Sequence, residues 1–289
     1  MIQDAVTQLS LLELRCRRPV EHLLAGEYRS VFRGQGIEFE DVRQYQPGDD
    51  VRAMDWKVTA RTGEPHIRRY IEQREQFLYL LVDVSASMIT ASGGQKRAII
   101  AELGSLLTMA ALRNNDRVSL ILFSDHVELM VPPGKGSSHA SRIMDALLSF
   151  QPDGRETQFA NVLSHFGHVA RKRSIAFVMS DFFADDYLDE LRALSIRHDV
   201  NAVNVLSSPS QLSSCTELIQ LQDAESGTSR YVDLQRRHHQ GSKHHVTLQE
   251  EMLQSGVDLM EIAVGEDCVV ALTSFFRSRQ RRVADESGG

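Results

Sequence analysis

Apolar residues fall along this chain in two periods, and their order predicts an architecture. Phe77 to Val82 (FLYLLV), Val118 to Phe123 (VSLILF) and Ser174 to Met179 (SIAFVM) are short, almost unbroken apolar runs. A strand covered on both faces reads this way, because neither face has solvent to satisfy a polar side chain. Val127 to Val131, Val200 to Leu206 and Val257 to Val264 extend the series. Between the runs, apolar positions recur every three or four residues. Gln95 to Arg113 carries Ala98, Ile99, Leu103, Leu106, Leu107 and Ala110 on one side, and about 138–148, 159–170, 187–196 and 268–279 read alike. Strands alternating with helices predict an α/β protein with a doubly wound, mostly parallel sheet.

Two stretches depart from that rhythm. Met1 to Arg18 predicts an amphipathic helix with Leu9 and Leu12 on its apolar face, ended by Pro19. From Gly26 to Glu75 the chain is charged and broken by turns such as Pro47-Gly48-Asp49-Asp50 and Thr62-Gly63-Glu64-Pro65, which predicts short strands and loops. Residues 1–75 are therefore expected to form an N-terminal helix and irregular short-strand module. Residues 76–282 form the α/β domain and 283–289 a flexible tail. The segment 207–255 interrupts the domain before its last strand. It predicts a hairpin (Leu218 to Leu221, then Tyr231 to Leu234) followed by a polar helix.

Composition narrows the function classes. The chain has 289 residues, 42% hydrophobic and 25% charged, with a formal net charge of −7, so no global basic field favours nucleic acid. The run Arg277 to Arg282 reads as the solvated face of a last helix, since Asp285 and Glu286 follow it. The apolar stretch Ala98 to Leu112 contains Glu102 and is too short to insert into a membrane. Cys16, Cys215 and Cys268 are widely separated and odd in number, which suits a reducing, cytoplasmic setting rather than a disulfide framework.

The candidate chemistry lies at strand ends. Open α/β sheets bind ligands beyond the carboxyl ends of their strands, where the strand order reverses. Asp83, Ser85 and Ser87 (D-x-S-x-S) directly follow the first core strand. A carboxylate with two hydroxyls offers oxygen to a hard cation such as Mg²⁺, which takes about six oxygen ligands and keeps some waters; Mn²⁺ or Ca²⁺ would also accept such donors. Asp181 follows the strand Ser174 to Met179, which should neighbour the first across the switch point, and Thr157 offers a third hydroxyl before a helix. The blander reading makes Asp83, Ser85 and Asp181 caps of the turns they precede, but capping does not explain five oxygen donors expected at one sheet edge. The remaining motifs are weaker. Gly34-Gln35-Gly36 and Pro133-Gly134-Lys135-Gly136-Ser137-Ser138 lack the spacing of a phosphate loop. His238, His239, His244 and His245 lack the i, i+4 spacing of helical metal ligands. Ser85 and Ser87 lack the elbow glycines of a serine hydrolase.

Asp83, Ser85, Ser87, Thr157 and Asp181 together resemble the metal-ion-dependent adhesion site of von Willebrand factor A domains. The N-terminal block resembles the signature of domain-of-unknown-function family 58. It is carried by Arg33-Gly34-Gln35-Gly36-Ile37-Glu38-Phe39, Arg43-Gln44-Tyr45-Gln46-Pro47-Gly48-Asp49-Asp50, Asp55-Trp56 and Ala60-Arg61, and later by Asp223-Ala224-Glu225-Ser226-Gly227. The resemblance spans about residues 23–279. It implies an A-domain-like fold, those five residues as metal ligands, a bacterial or archaeal origin, and a MoxR-type AAA ATPase as partner.

The expected function is thus a binding module and not an enzyme: a metal held mainly by neutral hydroxyls keeps an open position for a partner's carboxylate. Two rivals are a phosphate-ester hydrolase using Asp83 or Asp181, and a subunit whose metal only fixes its loops. No Lys or Arg directly follows a core strand to clamp phosphate, which disfavours the hydrolase. The mixed charges of Arg29 to Arg69 suggest ion pairs that pack this module onto the α/β domain more than a partner surface.

Overall fold

The structure is a computed structural model. It describes residues 2–32, 38–71, 75–89, 93–154, 157–184, 187–206, 219–222, 229–232 and 247–287. By contacts the chain divides into two units, one of Met1–Val31 with Phe77–Gly289 and the other of Phe32–Gln76. The first helix therefore belongs with the α/β domain, whereas the sequence grouped it with the module that follows it.

That helix also runs further than its proline suggested. Ile2–Pro19 (α1) passes through a π-helical turn, Val20–Leu24, into Ala25–Val31 (α2). Pro19 has no N–H and its ring collides with the carbonyl four residues back. A widened turn at that point lets the helix continue instead of ending. The reason to continue is a stripe: Leu12, Cys16, Val20, Leu24 and Tyr28 recur every four residues and all are buried.

In the smaller unit, Glu38–Gln44 (β1) pairs antiparallel with His66–Ile71 (β2), around a short helix Trp56–Thr62 (α3). Asp55 caps α3 by accepting from the backbone N–H of Lys57 and Val58. Arg43 makes a two-pronged ion pair with Asp49 (2.6 and 2.9 Å), which also accepts from the Gln46 N–H. These hydrogen bonds hold the Asp49 carboxyl below its ordinary range. Arg43 and Asp49, both in the signature block, thus pair within it.

The larger unit is the doubly wound α/β domain. Its strands are Phe77–Asp83 (β3), Arg117–Phe123 (β4), Val127–Gly134 (β5), Ile175–Ser180 (β6), Asp199–Leu206 (β7) and Asp258–Ala263 (β10), in the order β10-β7-β6-β3-β4-β5. All pairs are parallel except β4 with β5. As the antiparallel edge strand, β5 tolerates Pro132 and Pro133, whose missing N–H groups a central strand could not accommodate. Ile219–Gln222 (β8) and Ser229–Val232 (β9) form a separate antiparallel pair, the hairpin expected in the insertion, and 247–254 is helical (α9). The His238 to His245 cluster, the Asp223 to Gly227 motif, Gly34 to Gly36 and Cys215 lie outside the described residues.

Helices cover both faces. Gly93–Arg113 (α5) crosses β3, β4 and β7, and α1, Ser137–Ser149 (α6) and Cys268–Ser287 (α10) pack around it. Phe159–Val169 (α7) and Leu188–Arg197 (α8) lie on the other face with α9. There Tyr79, Leu81, Ile121, Phe123, Ala176, Val178, Val200 and Ala202 meet Phe159, Phe166, Leu191, Leu194 and Met252 in one core. Alternate residues Leu78, Leu80, Leu120, Leu122, Phe177 and Met179 are equally buried, so the unbroken apolar runs reflect a sheet buried on both sides.

The basic run of the last helix is not simply solvated. Arg279 donates to Asn201 and to Asp199 (2.6 Å) on β7, Arg282 pairs with Asp258 (2.6 Å), and Arg277 reaches Glu27 (2.9 Å). These contacts lash α10 to the sheet edge and to α2, a use of the charges that their local sequence does not reveal.

Candidate metal centre

The sheet reverses direction at β3. From it the chain winds one way to β4 and β5, then crosses to β6, β7 and β10 on the other side. The loops leaving β3 and β6 therefore diverge over a common edge, and Asp83 and Asp181 stand there. The short turn Ala86–Ile89 (α4) follows at once.

Asp83 is 1% exposed and both its oxygens are engaged. Its Oδ1 accepts from the Ser85 N–H at 2.9 Å, and its Oδ2 accepts from the Ser180 hydroxyl at 2.6 Å. Burial pushes its carboxyl up to about 6, and the charge of Asp181 adds to the rise, while the bonds from Ser180 and Ser85 oppose it. Ser85 Oγ and Ser87 Oγ lie 3.2 Å apart. Two adjacent ligands of an octahedral ion at about 2.1 Å are separated by roughly 3 Å, so this hydroxyl pair fits a small hard cation without rearrangement.

Thr157 reaches the same edge by a different route. The Val84 N–H donates to Phe123 O (2.8 Å), and the Gln158 N–H donates to Ser124 O (3.1 Å), so both loops hang on the end of β4. Glu128 completes the fastening. One of its oxygens accepts from the Ser124 hydroxyl (2.7 Å) and the Gly154 N–H (2.8 Å), and the other from the Asp153 N–H (3.3 Å). Asp125, His126 and Glu128 bring three potential ligand atoms within 4.8 Å of one another, but Glu128 is already occupied in tethering the Thr157 loop. Gly154 is closely packed: a Cβ would strike the Ser124 hydroxyl and the Asp125 carboxylate and meet Glu128 Oε1 at 3.0 Å, so these tethering side chains would have to shift. Gly154→Ala should displace the loop, costing about 1–3 kcal/mol in chemical denaturation and weakening Mg²⁺ binding in calorimetry. An unchanged Mg²⁺ affinity would mean that this loop does not serve the site.

Asp181 sits in a turn that needs support. Phe182 has a positive φ of 53°, a costly conformation for a bulky residue. It is held by its N–H donating to Ser180 Oγ (3.2 Å) and by its buried ring, stacked on Phe159 at 5.5 Å and tilted against Tyr187 at 5.7 Å. Phe183, one residue on, is 70% exposed.

Sequence reasoning missed Ser180, Glu128 and above all Lys96. Lys96, in the first turns of α5, is 5% exposed, and its ammonium lies 2.9 Å from Asp181 Oδ2. The sequence was searched for a cation directly after a core strand, whereas this one arrives from a helix. A signal was present, since Lys96, Ile99, Ile100 and Leu103 share the helical spacing of a buried face. The structure accordingly joins Asp83, Ser85, Ser87, Asp181 and Lys96 in one hydrogen-bonded and charge-coupled group, with Thr157 carried to the same sheet edge.

The chain is similar to several known proteins. The uncharacterized protein Mb1516 of Mycobacterium bovis is 29% identical over 283 residues, covering 94% of this chain and 89% of its own. Rv1480 of Mycobacterium tuberculosis aligns with the same identity and coverage. Among solved structures, the conserved hypothetical protein BatB from Bacteroides thetaiotaomicron shares 14% identity at a TM-score of 0.43, over 71% of this chain and 99% of its own. The von Willebrand factor domain of the pilus tip protein Mfa5 from Porphyromonas gingivalis aligns at 10% identity and a TM-score of 0.35, over 73% of this chain and 96% of its own. The model for "Protein of unknown function DUF58" matches residues 41–251, and the chain belongs to that family.

Proposed function

We propose that this protein is a metal-dependent protein-interaction module of the cytoplasm, serving as adaptor or scaffold for a MoxR-type AAA ATPase. The observation that carries the reading is the pair of hydroxyls, Ser85 Oγ and Ser87 Oγ, set 3.2 Å apart above a buried carboxylate at the switch point. Ser85, Ser87 and Thr157 would hold Mg²⁺, or Mn²⁺ or Ca²⁺, with Asp83 and Asp181 supplying charge from behind. Bound there, the ion offers an electrophilic position to an incoming carboxylate from the partner. Phe183, exposed beside Asp181, gives the docking partner an apolar contact next to the ionic one.

The hydrolase reading fares less well even with Lys96 present. Both oxygens of Asp83 already accept hydrogen bonds, which weakens them as nucleophiles, and the Lys96 ammonium is buried in an ion pair with Asp181. The deciding experiment is retention of the candidate ATPase on this immobilised protein in Mg²⁺ and in EDTA. Retention should be lost in EDTA and return with excess Mg²⁺. Retention that ignores EDTA would end the docking reading, and Mg²⁺-dependent turnover of a phosphate ester would favour the hydrolase.

A further inference from the structure

The buried lysine at the metal centre violates two local preferences at once. Lysine is almost never fully buried without a partner, and a cation in the first turns of a helix faces the positive end of its dipole. Lys96 nonetheless stands in the first turns of α5, on the face that buries Ile99, Ile100 and Leu103. Its side chain is 6% exposed and that of Asp181 7%, with 2.9 Å between the charged atoms. Breaches of local rules of this kind concentrate at functional sites. Asp181 and Asp83 are both buried carboxylates at this edge. Removing the ammonium from the metal-free protein would strip Asp181 of this buried ion pair, at a heavy cost.

We propose that Lys96 is an internal counter-ion of the metal centre, which holds the metal-free form together and lowers the affinity of the site for a divalent cation. This deepens the metal-docking reading and rests on it. A divalent ion held by Ser85 and Ser87 must enter beside an ammonium already neutralising Asp181, so part of the attraction that would draw it in has been used. Metal and ammonium would then repel one another. The carboxylate of a docking partner restores the missing negative charge. Metal occupancy and partner binding therefore reinforce one another, and the site stays weakly loaded until a partner is present. Lys96 acts here as a positioning and affinity-setting residue, without itself touching the partner.

The test uses the full chain and Mg²⁺ or Mn²⁺ alone, with calorimetry and thermal melting as readouts. In Lys96→Met the metal should bind roughly tenfold more tightly or better, on the scale expected for removing one charge close to a dication. In EDTA the variant should melt below the parent protein, and Mg²⁺ should raise its melting temperature by more than it raises the parent's. Lys96→Gln keeps a hydrogen-bond donor for Asp181 and guards against a variant that does not fold; it should shift affinity in the same direction. Equal or weaker metal binding in both variants, with the parent still binding metal, would overturn the proposal while leaving the metal site intact. Absence of metal binding in the parent and in both variants would overturn the metal-site reading itself, and with it the proposal.

Discussion

Replacing Asp83 by Asn should abolish the response to metal while leaving the metal-free fold intact. The parent's melting temperature should rise with millimolar Mg²⁺, and that of Asp83→Asn should not. Calorimetric Mg²⁺ binding and Mg²⁺-dependent retention of the candidate ATPase should disappear together. The reason is local. Asp83 contributes the negative charge directly beneath the hydroxyl pair, and an amide of the same shape retains one acceptor but no charge. The metal-free variant should match or exceed the parent in stability at neutral pH. Burial raises the Asp83 carboxyl to about 6 from an ordinary value of 3.8. The folded state thus binds this proton more tightly than the unfolded state, and stability falls as pH rises from about 4 to 6. Above pH 6 the full cost is present, about 3 kcal/mol by this group alone. The gain from Asp83→Asn should therefore be largest near pH 7.5 and shrink towards pH 4, as followed by denaturant titration in EDTA. Mg²⁺ affinity in the parent should weaken as pH falls through 6, because the proton and the ion compete for the same carboxylate. A full Mg²⁺ response in Asp83→Asn would refute the assignment of this edge as a metal centre. Asp83→Ala should lose the metal as well, but it also strips the acceptor from the Ser85 N–H and the Ser180 hydroxyl, so its lower stability would carry less information.

The second large effect is expected at Phe159, which links the two halves of the site. Its ring is 1% exposed and meets Phe123 at 5.4 Å, Phe182 at 5.5 Å and Tyr187 at 5.1 Å. Phe159 begins α7 two residues after Thr157, and Phe182 follows Asp181, so one stack fixes a hydroxyl loop and a carboxylate turn. Phe159→Ala should lower unfolding free energy by about 3–5 kcal/mol, the usual range for a large aromatic removed from a packed core. It should also weaken Mg²⁺ binding, because the positive-φ turn at Phe182 loses the packing that offsets its strain. Phe166→Ala supplies the control. Phe166 is fully buried in the same core, but near the other end of α7, against Tyr79 (5.1 Å) and His198 (5.0 Å). It should lose comparable stability and keep its metal affinity. Equal loss of metal affinity in both would mean that the site responds to general loosening and not to this stack.

The alternation of apolar runs with helical periods determined the fold class by itself, since a sheet buried on both faces leaves strands no polar positions and each parallel crossover demands a helix. The strands at Phe77, Val118, Ser174, Val200 and Val257 were legible to within a residue or two. So was the edge on which Asp83 and Asp181 would meet, because strand ends and the reversal of strand order follow from connectivity alone. The hairpin of the insertion was legible from two short runs and the turn between them.

What the sequence could not settle was every matter of which distant groups share a space. Pro19 read as a stop, but the stripe from Leu12 to Tyr28 finds α5, α6 and α10 to pack against, and burial of that stripe outweighs the local penalty of the proline. Arg279 read as solvated and is instead an anchor on Asp199 and Asn201, some 80 residues away. Glu128 carries no local signal of its role, which is to tie down the Thr157 loop. Lys96 lies 85 residues from Asp181, and no local pattern pairs the two. Periodicity reports how each segment meets solvent, which the sequence carries locally. The charge balance at Asp83 and Asp181 is a sum over groups that only the closed sheet and its covering helix bring within reach, and so the tertiary structure alone decided it.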